Sequence, residues 1–212
     1  MKQTLPYHSV PYTHIHRGSK KVCMMFSGLG YHYEKPLFYY STMLMLEEGI
    51  DVVHVHYSYN RDFLKQSLQI VADTMMKDIE PILMHILETY SYEEIIFIGK
   101  SLGTVPILHN FMKQDRFAGA TMLLLTPLLN FPELFTSLQE SKHRGLLVIG
   151  DQDVHYDKQK FQQLHETNFQ VDVIKDADHS LDVHPINAHA SLTALMNVMN
   201  NMKKSLHIVK QH

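Results

Sequence analysis

The chain is poor in cysteine, in charge of one sign and in long apolar runs, and each shortage narrows its function. Cys23 is the only cysteine, so no intrachain disulfide forms and nothing points to an oxidising compartment; a cytoplasmic protein is the expectation. With 19 Lys plus Arg against 22 Asp plus Glu, the formal charge is −3. That argues against a partner such as nucleic acid, whose phosphates must be neutralised by a net basic surface. No apolar run exceeds about five residues, far below the roughly 20 that span a bilayer, so no membrane partner is expected. The first ten residues have polar side chains where a secretory leader would be apolar, so no leader is expected. Repeats, low-complexity tracts and linkers are also missing. With 45% hydrophobic residues in a chain of 212, the expectation is one compact domain over residues 1–212, of radius roughly 17 Å.

What is there has the grammar of an α/β protein. Short apolar runs bounded by Gly, Asp or Pro predict strands over 12–16, 21–27, 51–57, 94–99, 121–126, 146–150 and 170–175. Uninterrupted runs such as Ile95, Ile96, Phe97 and Ile98 suit a parallel sheet covered on both faces, since a wet face would demand alternation. Between the strands, amphipathic stretches predict helices over 36–48, 61–90, 102–114, 157–167 and 186–204. Pro81 predicts a kink or a break in the second of these, because proline removes a helical donor and crowds the preceding turn. The fold class expected is a three-layer α/β arrangement, a mostly parallel sheet of about seven strands with helices on both faces.

One segment carries chemistry. Residues 95–104 read IIFIGKSLGT, a buried strand followed by Gly99-Lys100-Ser101-Leu102-Gly103 and then a helical pattern. In that setting G-x-S-x-G is a strand-to-helix elbow that holds a serine in a strained backbone conformation, with small residues two before and two after it to avoid clashes. The same letters end a phosphate-binding loop, but that pattern requires glycine at position 94, which is Glu94. A nucleophilic serine needs a base, and the base an orienting acid, in the chain order Ser, Asp or Glu, His. Downstream, one strand runs into Asp151-Gln152-Asp153 and the next into Asp176-Ala177-Asp178-His179. Both follow the carboxyl end of a predicted strand, the edge at which Ser101 stands and at which sites in open α/β sheets form. A histidine base predicts activity that rises with pH through roughly 6 to 7. His14 with His16 and His54 with His56 have the spacing of metal-ligand pairs, yet no third ligand lies near either pair in the sequence. No metal and no other cofactor is expected.

These motifs together resemble the α/β-hydrolase family from about Lys21 to the C-terminus. The resemblance implies catalytic roles for Ser101, His179 and Asp153, favouring Asp153 over Asp151 because the family's acid commonly lies three residues beyond the glycine closing its strand. It also implies an oxyanion hole in the loop after an earlier strand, here Phe26-Ser27-Gly28-Leu29-Gly30, with the backbone N–H groups of Leu29 and Leu102 as donors and Gly30 as the alternative to Leu29. Ser27 stands where the family commonly has histidine. Pocket walls are expected from Gly30, Tyr31, Lys100, Phe131 and Val154, although a lysine beside an elbow more often points to solvent. Tyr33, Tyr57 and Tyr59 lie in loops that could also wall the pocket. Only residues 127–145 separate two strands where lipid-processing members insert a lid, room for one short helix and no cap domain. The implied function is a serine hydrolase acting on the acyl bond of a small or medium soluble substrate, with a carboxylic ester as the expected bond. Alternatives are a thioesterase or peptidase of the same fold, or a noncatalytic binding protein.

Overall fold

The structure, a computed structural model, describes residues 1–6 and 8–207. The apolar runs form β1 (Tyr12–Ile15), β2 (Lys21–Phe26), β3 (Asp51–Val55), β4 (Glu94–Lys100), β5 (Thr121–Leu125), β6 (Arg144–Gly150) and β7 (Phe169–Ile174). They lie in one sheet in the order β1-β3-β2-β4-β5-β6-β7. β1 is antiparallel to β3, and the other neighbouring pairs are parallel. Strand order reverses at β2, which has β3 on one side and β4 on the other. The loops leaving the carboxyl ends of β2 and β4 therefore diverge and open a crevice between them.

The helices are α1 (Pro36–Glu47), α2 (Leu68–Thr89), α3 (Val105–His109), α4 (Pro132–Gln139), α5 (Lys158–Gln163) and α6 (Ala188–His207). Side chains alternate across a strand, and β2 divides its residues accordingly. Val22, Met24 and Phe26 share a buried cluster with residues of α2, α3 and α4, whereas Cys23 and Met25 pack with Leu37 and Phe38 of α1 and Val198 and Met202 of α6. The sheet is thus the middle of three layers, which is why β2 and β4 are apolar at nearly every position. No helix among the described residues is long and apolar enough to cross a membrane.

The strands agree with the sequence pattern to within a residue or two, and the helices differ more. Pro81 neither breaks α2 nor splits it in two. It sits on the exposed side of the helix, while Met75, Ile79, Ile82 and Ile86 hold the opposite face in the core. The break falls earlier: Arg61–Lys65 is a 3₁₀ turn, and the Ser67 hydroxyl caps α2 by accepting from the Ile70 N–H. The helix expected over 102–114 is a 3₁₀ turn, Ser101–Thr104, then the short α3 and a second 3₁₀ turn, Phe111–Lys113. Pro106 in the first turn of α3 has no N–H to extend the helix backwards. Between β5 and β6 the one helix is α4.

Candidate active site

β4 ends at Lys100 and the chain turns at Ser101, whose φ of +52° lies in the left-handed region that disfavours any residue with a Cβ. The flanking glycines show what holds it there. A Cβ on Gly99 would stand 2.4 Å from the Gly103 carbonyl oxygen, and one on Gly103 would stand 2.0 Å from the carbonyl oxygen of Phe26 at the end of β2. Neither position accepts a side chain, so the elbow passes between its own helix turn and the neighbouring strand. The Thr104 hydroxyl donates to the Ser101 carbonyl at 2.6 Å and braces the turn.

The loops after β6 and β7 meet at the same edge. A Cβ on Gly150 would lie 2.0 Å from the Ala177 carbonyl oxygen, and the Gln152 N–H donates to that oxygen at 2.9 Å. This contact sets Asp153 beside His179, whose Nδ1 donates to Asp153 Oδ2 at 2.7 Å. His179 Nε2 is 2.8 Å from Ser101 Oγ and accepts its proton, because the imidazole's own proton is committed to the carboxylate. Asp153 is 5% exposed and its other oxygen accepts the His155 N–H at 2.9 Å. Burial opposes ionisation of this carboxyl, but the hydrogen bonds from His179 and His155 and the two nearby imidazoles outweigh it and hold its pKa below the usual carboxylate value. Asp151 is engaged elsewhere. Its Oδ1 accepts from the Asp176 N–H at 2.7 Å and from the Gln152 amide at 3.1 Å, tying the β6 loop to the β7 loop. Asp178 caps its own loop through the N–H groups of Ser180 and Asp182.

The loop after β2 lies against the elbow: a Cβ on Gly28 would be 3.2 Å from both the Lys100 carbonyl oxygen and Ser101 Cβ. Leu29 and Leu102 line one cavity of about 20 Å³, together with Gly28, Gly30, Tyr57 and Tyr59. Leu102 is in the first turn of its helix, where an N–H has no helical acceptor. A second cavity, of about 310 Å³, lies between this loop and the His179 loop, with Gly30, Tyr31, Leu37, Leu181 and Leu195 among its lining residues.

Two expected pocket residues lie elsewhere. Lys100 does not reach solvent: it is 1% exposed, with Nζ donating to Thr126 Oγ1 and to the His179 carbonyl oxygen. Val154 is 85% exposed and meets solvent in place of a pocket wall. Phe131 is half-buried at the start of α4 and packs on the core of the α2 face. Tyr33 is turned inward, its hydroxyl donating to the carbonyls of Met25 and Val55. Sequence reasoning missed His155, whose ring meets that of His179 edge to face at 5.2 Å and whose Nδ1 donates to Asn130 Oδ1. Burial lowers its pKa, against the pull of Asp153. Its place two residues beyond the acid was the available signal.

The histidine pairs are tied into hydrogen bonds. His54 Nε2 bonds the Thr42 hydroxyl at 2.9 Å and His56 Nε2 the Thr13 hydroxyl at 2.8 Å. Burial, first of all, lowers the pKa of each to about 4. His14, His16 and Asp51 do come together, but around the Tyr92 hydroxyl, which lies 2.8 Å from both His14 Nε2 and Asp51 Oδ2. Asp51 opens β3, so this cluster is at the amino end of the parallel strands, across the sheet from Ser101.

Residues 19–207 match the family described as alpha/beta hydrolase domain. Among solved structures, Est1E from Butyrivibrio proteoclasticus is 14% identical, with 97% of this chain and 98% of that one covered at a TM-score of 0.69. Dienelactone hydrolase from Anabaena variabilis is 14% identical, with 97% and 94% covered at 0.68. XC6422 from Xanthomonas campestris, described as an α/β serine hydrolase without lid, is 12% identical, with 96% of each chain covered at 0.67. At these identities the likeness is one of fold. No curated protein sequence matches the chain.

Proposed function

Because the chain belongs to the alpha/beta hydrolase domain family, and is thereby a hydrolase, we propose that it is a serine hydrolase cleaving the carboxylic ester of a small or medium soluble substrate. The observation that carries this reading is the unbroken relay from Ser101 Oγ through the His179 imidazole to the Asp153 carboxylate, with links of 2.8 and 2.7 Å.

In the first half-reaction Ser101 Oγ attacks the ester carbonyl carbon as its proton passes to His179 Nε2. The ionised Asp153 keeps the other imidazole proton on Nδ1 and stabilises the cation that forms. Negative charge develops on the former carbonyl oxygen, and the N–H groups of Leu29 and Leu102 are its donors. Such donors are aimed before the charge appears and so stabilise the transition state without reorganising. Collapse of the tetrahedral intermediate expels the alcohol, which takes the proton from His179 and leaves an ester on Ser101. Water then repeats the sequence, with His179 as base, and releases the acid.

The single short helix between β5 and β6 supports a compact soluble acyl substrate, and the lone Cys23, which allows no intrachain disulfide, supports a cytoplasmic enzyme. The test is labelling by a fluorophosphonate probe together with turnover of esters and thioesters of graded acyl length, with Ser101→Ala as control. Labelling and ester turnover that both vanish in the variant are expected. Turnover undiminished in Ser101→Ala would overturn the reading.

A further inference from the structure

Lys100 is the unexplained group in the elbow. It shares the parity of Ile96 and Ile98 along β4, and those two belong to the α1 and α6 face of the sheet. Its side chain is therefore directed to that face at the carboxyl end of the strand, where it is among the largest fully buried side chains of the chain. An ammonium buried there is costly unless it is paired. Its contacts are the Thr126 hydroxyl at 3.1 Å, the His179 carbonyl oxygen at 2.9 Å and the face of the Tyr31 ring at 4.6 Å, and no carboxylate among the described residues touches it directly.

Each contact belongs to a different loop of the site. Tyr31 follows the proposed oxyanion loop after β2, Thr126 follows β5, His179 follows β7, and Lys100 itself precedes Ser101. Thr126 takes a φ of +44°, in the left-handed region that Ser101, Asp176 and Leu181 also occupy at this edge of the sheet, and its N–H donates to the Val148 carbonyl of β6 at 2.7 Å. Unfavourable backbone geometry of this kind tends to persist where function holds it. The titratable groups facing Lys100 are Asp153 and His155 from the β6 loop, Asp178 and Asp182 from the β7 loop, and Tyr31 from the β2 loop. Desolvation lowers the Lys100 pKa to about 8 against the pull of the three carboxylates, and so the side chain is largely charged at neutral pH.

We propose that Lys100 is a positioning residue for the reaction at Ser101: its ammonium fastens the His179 main chain to the elbow and so holds the imidazole in line between Ser101 and Asp153. The inference rests on the serine-hydrolase reading for its kinetic consequence, and on geometry alone for the link to His179. A loosened imidazole costs turnover more than binding, because misplacement of about 1 Å suffices for a roughly 10²-fold loss.

The experiment compares wild type, Lys100→Met and Thr126→Val in p-nitrophenyl acetate hydrolysis, thermal melting, and the downfield NMR resonance of the His179 ring proton held by Asp153. For a folded Lys100→Met, kcat falls about 10- to 100-fold with KM within about threefold, and the His179 ring-proton resonance is broadened or lost. Thr126→Val keeps the ammonium and loses one anchor; its kcat falls about 3- to 10-fold while the resonance is retained. Should Lys100→Met fail to fold, Thr126→Val decides, and a wild-type kcat there overturns the proposal. A folded Lys100→Met with kcat within twofold of wild type, or with an unchanged His179 resonance, overturns it too. If wild type hydrolyses no ester and takes no serine probe, the serine-hydrolase reading fails; the ring-proton resonance still decides the link between Lys100 and His179.

Discussion

Asp153→Asn isolates the acid of the proposed relay, because asparagine keeps the shape and changes only what two atoms can donate. Both carboxylate oxygens of Asp153 accept: Oδ2 from His179 Nδ1 at 2.7 Å and Oδ1 from the His155 N–H at 2.9 Å. Asparagine has one acceptor and one donor for these two donors. If its oxygen faces the His155 N–H, its amide N–H points at His179 Nδ1 and forces the ring proton onto Nε2, where it blocks acceptance from Ser101. If its oxygen faces His179, the tautomer survives, but amide and backbone donors confront each other in a site 5% exposed, at a cost of about 1–3 kcal/mol. The first arrangement is the more stable, so the variant melts near wild type and turns over about 10²- to 10⁴-fold more slowly. Asp151→Asn is the control, since an asparagine oxygen can still accept from the Asp176 N–H. Steady-state hydrolysis of a soluble ester, with thermal melts of both variants, provides the assay. An Asp153→Asn enzyme retaining a tenth of wild-type kcat, or an Asp151→Asn enzyme that loses more, would refute the reasoning.

The elbow was readable before any coordinates because its requirements are local. A buried strand, a serine and two glycines at fixed spacing are all within ten residues, and the clashes that demand those glycines, 2.4 Å at Gly99 and 2.0 Å at Gly103, involve the adjacent turn and strand. The choice between Asp151 and Asp153 was harder, because what occupies Asp151 is an N–H on another loop, at Asp176. Lys100 was misjudged for the same reason. Strand parity assigns it a face, but the loops that cover that face, bearing Tyr31, Thr126 and His179, arrive from three other strands. At Pro81 the helix does not divide: the apolar face of α2 outweighs one missing hydrogen bond when the proline ring is on the wet side.

Ser101→Ala lowers ester turnover by about 10³-fold or more and abolishes fluorophosphonate labelling with little change in melting temperature, since among the described residues Oγ bonds only His179; near-native turnover would contradict this. Across esters from acetyl to palmitoyl, rates peak at short or medium chains with no rise above the micellar concentration, because α4 is too short to be a separate cap; preference for palmitoyl with interfacial activation would count against it. The buried Lys100 makes a fourth prediction, on stability. Its ordinary pKa of 10.5 falls to about 8 in the fold, so the unfolded chain binds the proton more tightly. Folding then releases a proton between those values, and stability rises with pH across that window. At about 1.4 kcal/mol per pH unit the penalty is about 3 kcal/mol at pH 7, and about 2 kcal/mol of it is recovered by pH 9.5. Burial raises the phenol pKa of Tyr31, Tyr33 and Tyr57 above the ordinary 10.0, so their opposing effect sets in only as pH approaches that ordinary value and is small at pH 9.5. Urea denaturation at pH 7 and 9.5 should therefore show wild type gaining about 2 kcal/mol relative to Lys100→Met. If the two proteins change in parallel, Lys100 does not carry the buried charge that this arithmetic assigns to it.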